Sequence, residues 1–483
     1  MNRSYRTIWN EALGAWVAAS EISSARGKPN PSSVAKAIAV VVLTASAGMN
    51  VAAAQYAVGN GTATGAQSIA IGGSSGSTTT ASGATSIAIG ANAIATGNYS
   101  QAFGQATTAT GASAIAMGSG AKATNLGSTV VGNDTTASGS SSVAIGGGNS
   151  SGTGGSAALA ANSVAIGRFS VAQSAATSGV AIGYAATVSS AGAVALGQSA
   201  TAAGASSIAL GQSAIASATE ATALGFNANA AQQAVAVGNG ASATATFSAA
   251  VGGNGTIANA SEASAFGDAA IASGVAATAL GTYATASGAS ATAIGTTSTA
   301  TGVGATAIGT YATASANNSS AIGDGATATG ASSAAIGYNS TAAGGSALAL
   351  GAGSSASYAN SVALGAGSVT GTAAPTGKGY LTGSAAPLSE VSVGSPSALR
   401  RITNVADGSA PQDAATVSQL STGMSTTASN IASLSTSTST GLSTAVSRDA
   451  SLSTGLSTTN SNVASLSTGL STTTSTTSPK YFY

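Results

Sequence analysis

The 483-residue chain has no cysteine and no histidine. The first absence excludes disulfides, thiolate metal sites and cysteine nucleophiles, and it suits a chain that stays unfolded until it has left the cytoplasm. The second removes the commonest general base and the commonest metal ligand. Charged residues are 5% of the sequence and aromatics 4%, so the large side chains that normally offset conformational entropy are scarce. Ala, Ser, Thr and Gly dominate instead. A fold of Ala, Val, Ile and Leu must bury them repetitively, with backbone hydrogen bonding between identical units. That points to a solenoid.

The net charge of +1 is unevenly placed: Arg3, Arg6, Arg26, Lys28 and Lys36 face only Glu11 and Glu21 before residue 55. Removing that stretch leaves the remainder near −2, with no basic footprint for nucleic acid. Residues 36–54 (KAIAVVVLTASAGMNVAAA) have a basic start, a short apolar run and a small-residue end. They read as a secretory signal cleaved between Ala54 and Gln55; the apolar run is well short of the roughly 20 residues that span a bilayer. The preceding segment carries Met1-Asn2-Arg3, Tyr5-Arg6, Ile8-Trp9-Asn10, Trp16-Val17, Ala19-Ser20-Glu21 and Ala25-Arg26-Gly27-Lys28. It resembles the extended signal peptide region of large Gram-negative autotransporters, which implies Sec export and type V secretion. Residues 1–54 are therefore assigned to an extended signal peptide.

Residues 55–370 repeat themselves, most clearly as Ser-x-Ala-Ile-Gly. The glycines Gly267, Gly281, Gly295, Gly309, Gly323, Gly337, Gly351 and Gly365 are each fourteen residues apart. The same spacing links Gly90, Gly104, Gly118, Gly132 and Gly146, then Gly183, Gly197, Gly211 and Gly225. So short a period is the signature of stacked coils with glycine at the corners. In residues 290–303 a second glycine, Gly302, falls seven after Gly295, implying two corners and two short strands per coil. Apolar residues alternate before the first corner, as in Val143/Ile145, Val194/Leu196 and Leu348/Leu350, with Ala between them on the opposite face. On this reading the aliphatic row points inward, at about 4.8 Å per coil and roughly 100 Å of fibre, while the Ala and Ser face meets neighbouring chains. The longest break, from Gly146 to Gly167, reads as a Gly- and Ser-rich loop extruded from one coil, either a plain insertion or a ligand-contacting loop.

Ser142-Val143-Ala144-Ile145-Gly146 and Ser163-Val164-Ala165-Ile166-Gly167 match the motif of the head of YadA-type trimeric adhesins, which these repeats resemble. The resemblance implies a homotrimer of left-handed parallel β-rolls. Residues 371–397 would connect this head to residues 398–420, where Arg400-Arg401-Ile402, Asn404-Val405-Ala406, Gly408, Asp413-Ala414 and Val417-Ser418-Gln419-Leu420 resemble the neck of the same family. There Arg400 and Arg401 are expected to bond across chains, or to stand solvated. Asn404, Asp413 and Gln419 complete the neck set.

Residues 421–483 are Ser/Thr-rich, with apolar residues at coiled-coil spacing: Leu420/Met424, Ile431/Leu434, Leu442/Val446, Leu452/Leu456, and the heptad line Leu456, Val463, Leu470. Ser and Thr form helices poorly, so this is a stalk held by oligomerisation or a disordered tail. The alternating strands of a membrane anchor are not seen in residues 472–483, so attachment to the outer membrane is expected only through an anchor supplied elsewhere.

Catalytic spellings do not survive scrutiny. The sequence Gly72-Gly73-Ser74-Ser75-Gly76 fits a nucleophile elbow, but there is no histidine to activate a serine. The segment 371–378 (GTAAPTGK) has one residue too many for a phosphate loop, and Gly379 replaces the magnesium-binding hydroxyl. Asp134, Glu220, Glu262, Asp268 and Asp324 are scattered over different coils. An ice- or carbohydrate-binding solenoid would need one residue type aligned down the stack, and threonine is not consistently placed. The expectation is an all-β solenoid head, a neck and a short α-helical coiled-coil stalk, with no enzyme activity, no cofactor and no metal. The function expected is a surface adhesin of a Gram-negative bacterium, binding host matrix, host cells or itself; the alternative is a structural spacer or biofilm fibre.

Overall fold

The fourteen-residue period sets the architecture directly. From Ile87 onward each coil holds a three-residue strand, a corner, a two-residue strand and a second corner, as in Thr292–Ile294 followed by Thr299–Ala300. The computed structural model describes residues 5–10, 15–20, 55–73, 76–149 and 153–476. It divides between Leu399 and Arg400 into two units. The assigned cleavage point and residues 36–54 lie outside the described residues. Within the leader, Tyr5–Asn10 and Ala15–Ser20 pair as antiparallel strands.

The first unit is a parallel β-solenoid from Tyr56–Val58 to Val362–Leu364, with the longer strands in one ladder and the shorter in another. Both ladders are open: each strand pairs only with the equivalents one coil before and after, in exact register, as Thr292↔Thr306 and Ala293↔Ala307. The backbone is satisfied the same way, Thr292 N–H donating to Ala305 O of the following coil (2.8 Å) and Gly295 N–H to Leu280 O of the preceding one (2.8 Å).

The direction of the side chains corrects the expectation from the alternation. The central residue of each three-residue strand points inward: Ala279, Ala293, Ala307 and Ala321 are fully buried, and so are Ala286, Ala300 and Ala314 of the shorter strands. The aliphatic residues flanking the central Ala point outward and are only partly covered. The reason is volume. A coil of fourteen residues with two sharp corners encloses so narrow an interior that, among the described residues, only Val130 and Val188 are larger aliphatics fully buried within it. Alternation fixes which residues share a face, but not which face is the inside.

Serine and threonine fill many of the remaining interior positions, and at most of the serines the hydroxyl is satisfied locally. Ser68, Ser142, Ser163 and Ser207 each donate to the carbonyl three residues back, at 2.6–2.7 Å. A buried hydroxyl without such a partner would cost about 1–3 kcal/mol.

The last coil is closed by the chain itself. Val391–Ser392 pairs with Val362 and Ala363, and Glu390 accepts the Gly371 N–H, tying down the segment between. Tyr358 occupies a corner where earlier coils have Gly330 and Gly344, yet it is buried. Desolvation, reinforced by the Glu390 charge, pushes its phenol above the ordinary range.

In the second unit, the α-helix Val417–Thr476 follows an irregular segment. Its start is a capping box: Thr416 Oγ1 accepts from Gln419 N–H (3.1 Å), and Gln419 Oε1 accepts from Thr416 N–H (3.1 Å). No charged residue sits in the first or last turn. Along its length threonine hydroxyls donate to carbonyls four residues back, as Thr426 to Thr422 O and Thr454 to Ala450 O (2.9 Å each), sheltering the hydroxyls without aiding the helix. The apolar side chains Leu420, Ile431, Leu456 and Leu470 all lie exposed on the single chain.

Candidate functional site

The assigned corner glycines carry the coil geometry. At Gly90, Gly104, Gly118, Gly132, Gly167, Gly183, Gly197, Gly211, Gly225, Gly267, Gly281, Gly295, Gly309, Gly323, Gly337, Gly351 and Gly365, φ lies between 102° and 141°, which side chains rarely tolerate. A Cβ at Gly295 would also stand 2.5 Å from Gly309 O. Gly146, at the insertion, has no such φ. These glycines position everything else and contact no site of their own.

What they position is an apolar face. The third residue of the long strand is aliphatic or aromatic in coil after coil, including Ile145, Leu196, Leu224, Phe266, Leu280, Ile308, Ile322 and Leu350, all exposed in the single chain. The first position is aliphatic from Val143 to Ile208, becomes Thr278, Thr292, Thr306 and Ser320, and returns to Leu348 and Val362. The apolar strip therefore runs the length of the solenoid and narrows in its later coils. A soluble monomer rarely leaves so long a contiguous strip uncovered. Sequence reasoning found these residues but placed them inside. The clue available was that the central residue is almost always Ala, as only the enclosed position must be that small.

On the opposite ladder Thr285, Thr299, Thr313, Thr327 and Thr341 align over five successive coils. This corrects the view that threonine is nowhere consistently placed. Earlier in the same row stand Asn229, Ile257 and Ile271, so the alignment is local.

The insertion keeps the ladder intact: Val143 pairs with Val164 across it. Beyond it Arg168 lies over the Phe169 ring (4.8 Å), and Phe169 meets Tyr184 edge-on (5.6 Å). The head acids do not converge. Glu220 accepts from Gln233 (3.1 Å) and Asp268 from Asn254 (3.2 Å), and among the described residues no cluster could hold a metal ion.

In the segment 400–420 the assigned residues take different roles. Asp413 Oδ2 accepts from Ser409 N–H (2.8 Å) and Ala410 N–H (2.9 Å); the two amides, Ser409's first, hold its carboxyl below the usual range. Gln419 clasps Gly408 through both backbone groups (3.0 and 2.8 Å). Asn404 adopts a left-handed φ of 62°. Arg400 and Arg401 are exposed. Between this loop and the helix lies a groove of about 750 Å³, lined by Pro411, Leu420, Met424 and Ile431 among others.

A profile described as the YadA head domain repeat matches residues 81–105, 95–121, 123–149, 174–200, 202–228, 230–254, 258–284, 286–312, 314–340 and 342–368, together more than half of the chain. The chain belongs to the YadA-type trimeric autotransporter adhesins. Two further profiles agree with this membership: the extended signal peptide of the type V secretion system over residues 1–50, and the coiled stalk of trimeric autotransporter adhesin over residues 401–443. No curated protein matches the sequence. Among solved structures, the collagen-binding domain of the Yersinia adhesin YadA is similar, with 28% identity over 38% of this chain and 86% of that one and a TM-score of 0.28. Members of this family are adhesins rather than enzymes. As one of them, this chain carries the signal of an exported, surface-located protein.

Proposed function

We propose that three copies of this adhesin pack their long-strand faces together, continue into a three-stranded stalk, and present the outer face and corners of the head to host matrix or cell surfaces. The observation that carries this reading is the uninterrupted outward row from Ile145 through Leu224 and Ile308 to Leu350. Burying it recovers about 25 cal/mol per Å², and a second copy of the solenoid is a partner of matching length and spacing. The exposed apolar residues of the helix and the groove beside Leu420 support the same oligomer. Here Arg400 and Arg401 bond to neighbouring chains, in an element that joins the head to the stalk. Three heads on one stalk, many per cell, give avidity from weak individual contacts. Outer-membrane attachment in this scheme comes from a family-type anchor. The test is sedimentation of the exported chain followed by binding to immobilised matrix proteins, to host cells and to itself. A trimer that binds matrix or cells supports the proposal. A folded monomer overturns the assembly, and a trimer that binds only itself overturns the host ligand in favour of autoaggregation.

A further inference from the structure

The helix Val417–Thr476 contains only two charged residues, Arg448 and Asp449, and they are adjacent. The helix is itself repetitive. The stretches beginning at Gly423, Gly441 and Gly455 share the order glycine, apolar residue, then a pair followed by Ala-Ser-Leu. In the first that pair is Asn430-Ile431, in the third Asn462-Val463, and in the second Arg448-Asp449. Both residues of the pair differ from the other two stretches, with a cation in place of a neutral polar residue and an anion in place of an aliphatic. Asp449 also stands on the apolar heptad line, seven residues from Leu442 and seven from Leu456, which leads on to Val463 and Leu470. Ile431 and Val463 are exposed on the single chain and belong to the seam that a coiled coil buries. A groove of about 570 Å³ on this side of the helix is bordered by Gly441, Ala445, Arg448, Asp449 and Leu452.

We propose that Arg448 and Asp449 form a single charged layer between copies of the helix. Each Asp449 is taken up by the Arg448 guanidinium of a neighbouring copy, and the layer fixes the register of the stalk. This rests on the oligomeric reading above. Converging carboxylates at a seam position repel unless each is neutralised, and the residue just before the seam position reaches the adjacent helix at the same level. The rest of the seam is poor in such information, because Leu442-Ser443-Thr444, Leu456-Ser457-Thr458 and Leu470-Ser471-Thr472 are identical. A slip of fourteen residues would match Leu to Leu and leave the apolar packing nearly unchanged. It would, however, set Asp449 against Val463. A buried pair of this kind gives specificity at some cost in stability.

The experiment uses the full exported chain, with sedimentation of the unaltered protein first. A monomer would remove the oligomeric reading itself, and the charged layer with it. Given an oligomer, helix melting is followed by circular dichroism for Arg448→Ala, Asp449→Val and the double variant, with a spin label at Ser447 reporting interchain distances. Arg448→Ala is expected to melt several degrees lower. The double variant, which restores the aliphatic layer seen at Val463, should melt at or above the original while its single interchain distance splits into several. Melting shifts that simply add in the double variant, or a distance that stays single, would overturn the proposal while leaving the oligomer standing.

Discussion

At the scale of single residues, the solenoid is decided by how little space it encloses. Gly295→Ala would push a Cβ to 2.5 Å from Gly309 O at a φ of 129°. It should cost about 1–3 kcal/mol, seen as faster hydrogen exchange in the coils on either side. Ala293→Leu should be worse, because a fully buried methyl position has no room for three more carbons. Serine separates two cases. Ser142→Ala removes a bond to Gly139 O (2.7 Å) and is expected to cost about 1 kcal/mol, whereas Ser86 has a buried hydroxyl with no partner, so Ser86→Ala should be neutral or stabilising. Equal melting losses for the two serine variants would contradict this account. The sequence shows the glycines and the recurring small residues plainly; it does not say that smallness marks the inside.

The elements differ in what holds them. Each strand is too short to persist alone and exists because its neighbours in the ladder supply every hydrogen bond, so the register was readable from the period. The segment before the helix is held instead by a few side chains. Asp413 has its carboxyl lowered by the Ser409 and Ala410 amides. Its contribution is present above the ordinary aspartate range and is lost as pH falls through the lowered folded value. Loosening of residues 408–413 on acidification, followed by NMR, should vanish in Asp413→Asn. At the helix start, Thr416→Ala removes the cap that accepts from Gln419 N–H (3.1 Å) and should cost about 1 kcal/mol of helix stability. A thermal melt unchanged by this substitution would show that tertiary packing alone sets the boundary. The heptad line of the tail was legible in its leucines, but its choice between helix and disorder was not, because the low helix propensity of Ser and Thr opposes the heptad pattern.

For the whole molecule, an outer apolar strip on a narrow core predicts that folding of the coil and association of the chains can be separated. Replacing Ile294, Ile308 and Ile322 together by Ser should leave the β-solenoid intact by circular dichroism, since these side chains point away from the core and no charge is stacked in the ladder, while shifting the oligomer toward monomers on sedimentation. Loss of β-structure in that variant would mean the strip holds the coil itself together. The sequence by itself determined the period, the two strands per coil, the corner glycines and the membership in a family of exported adhesins, because each is written in residue identity at fixed spacing. Only the tertiary structure decided which side of each strand is enclosed. Alternation defines two faces without naming them, and it is the closure of a fourteen-residue coil, with room for alanine and serine but not for isoleucine, that turns Ile308 and its neighbours outward.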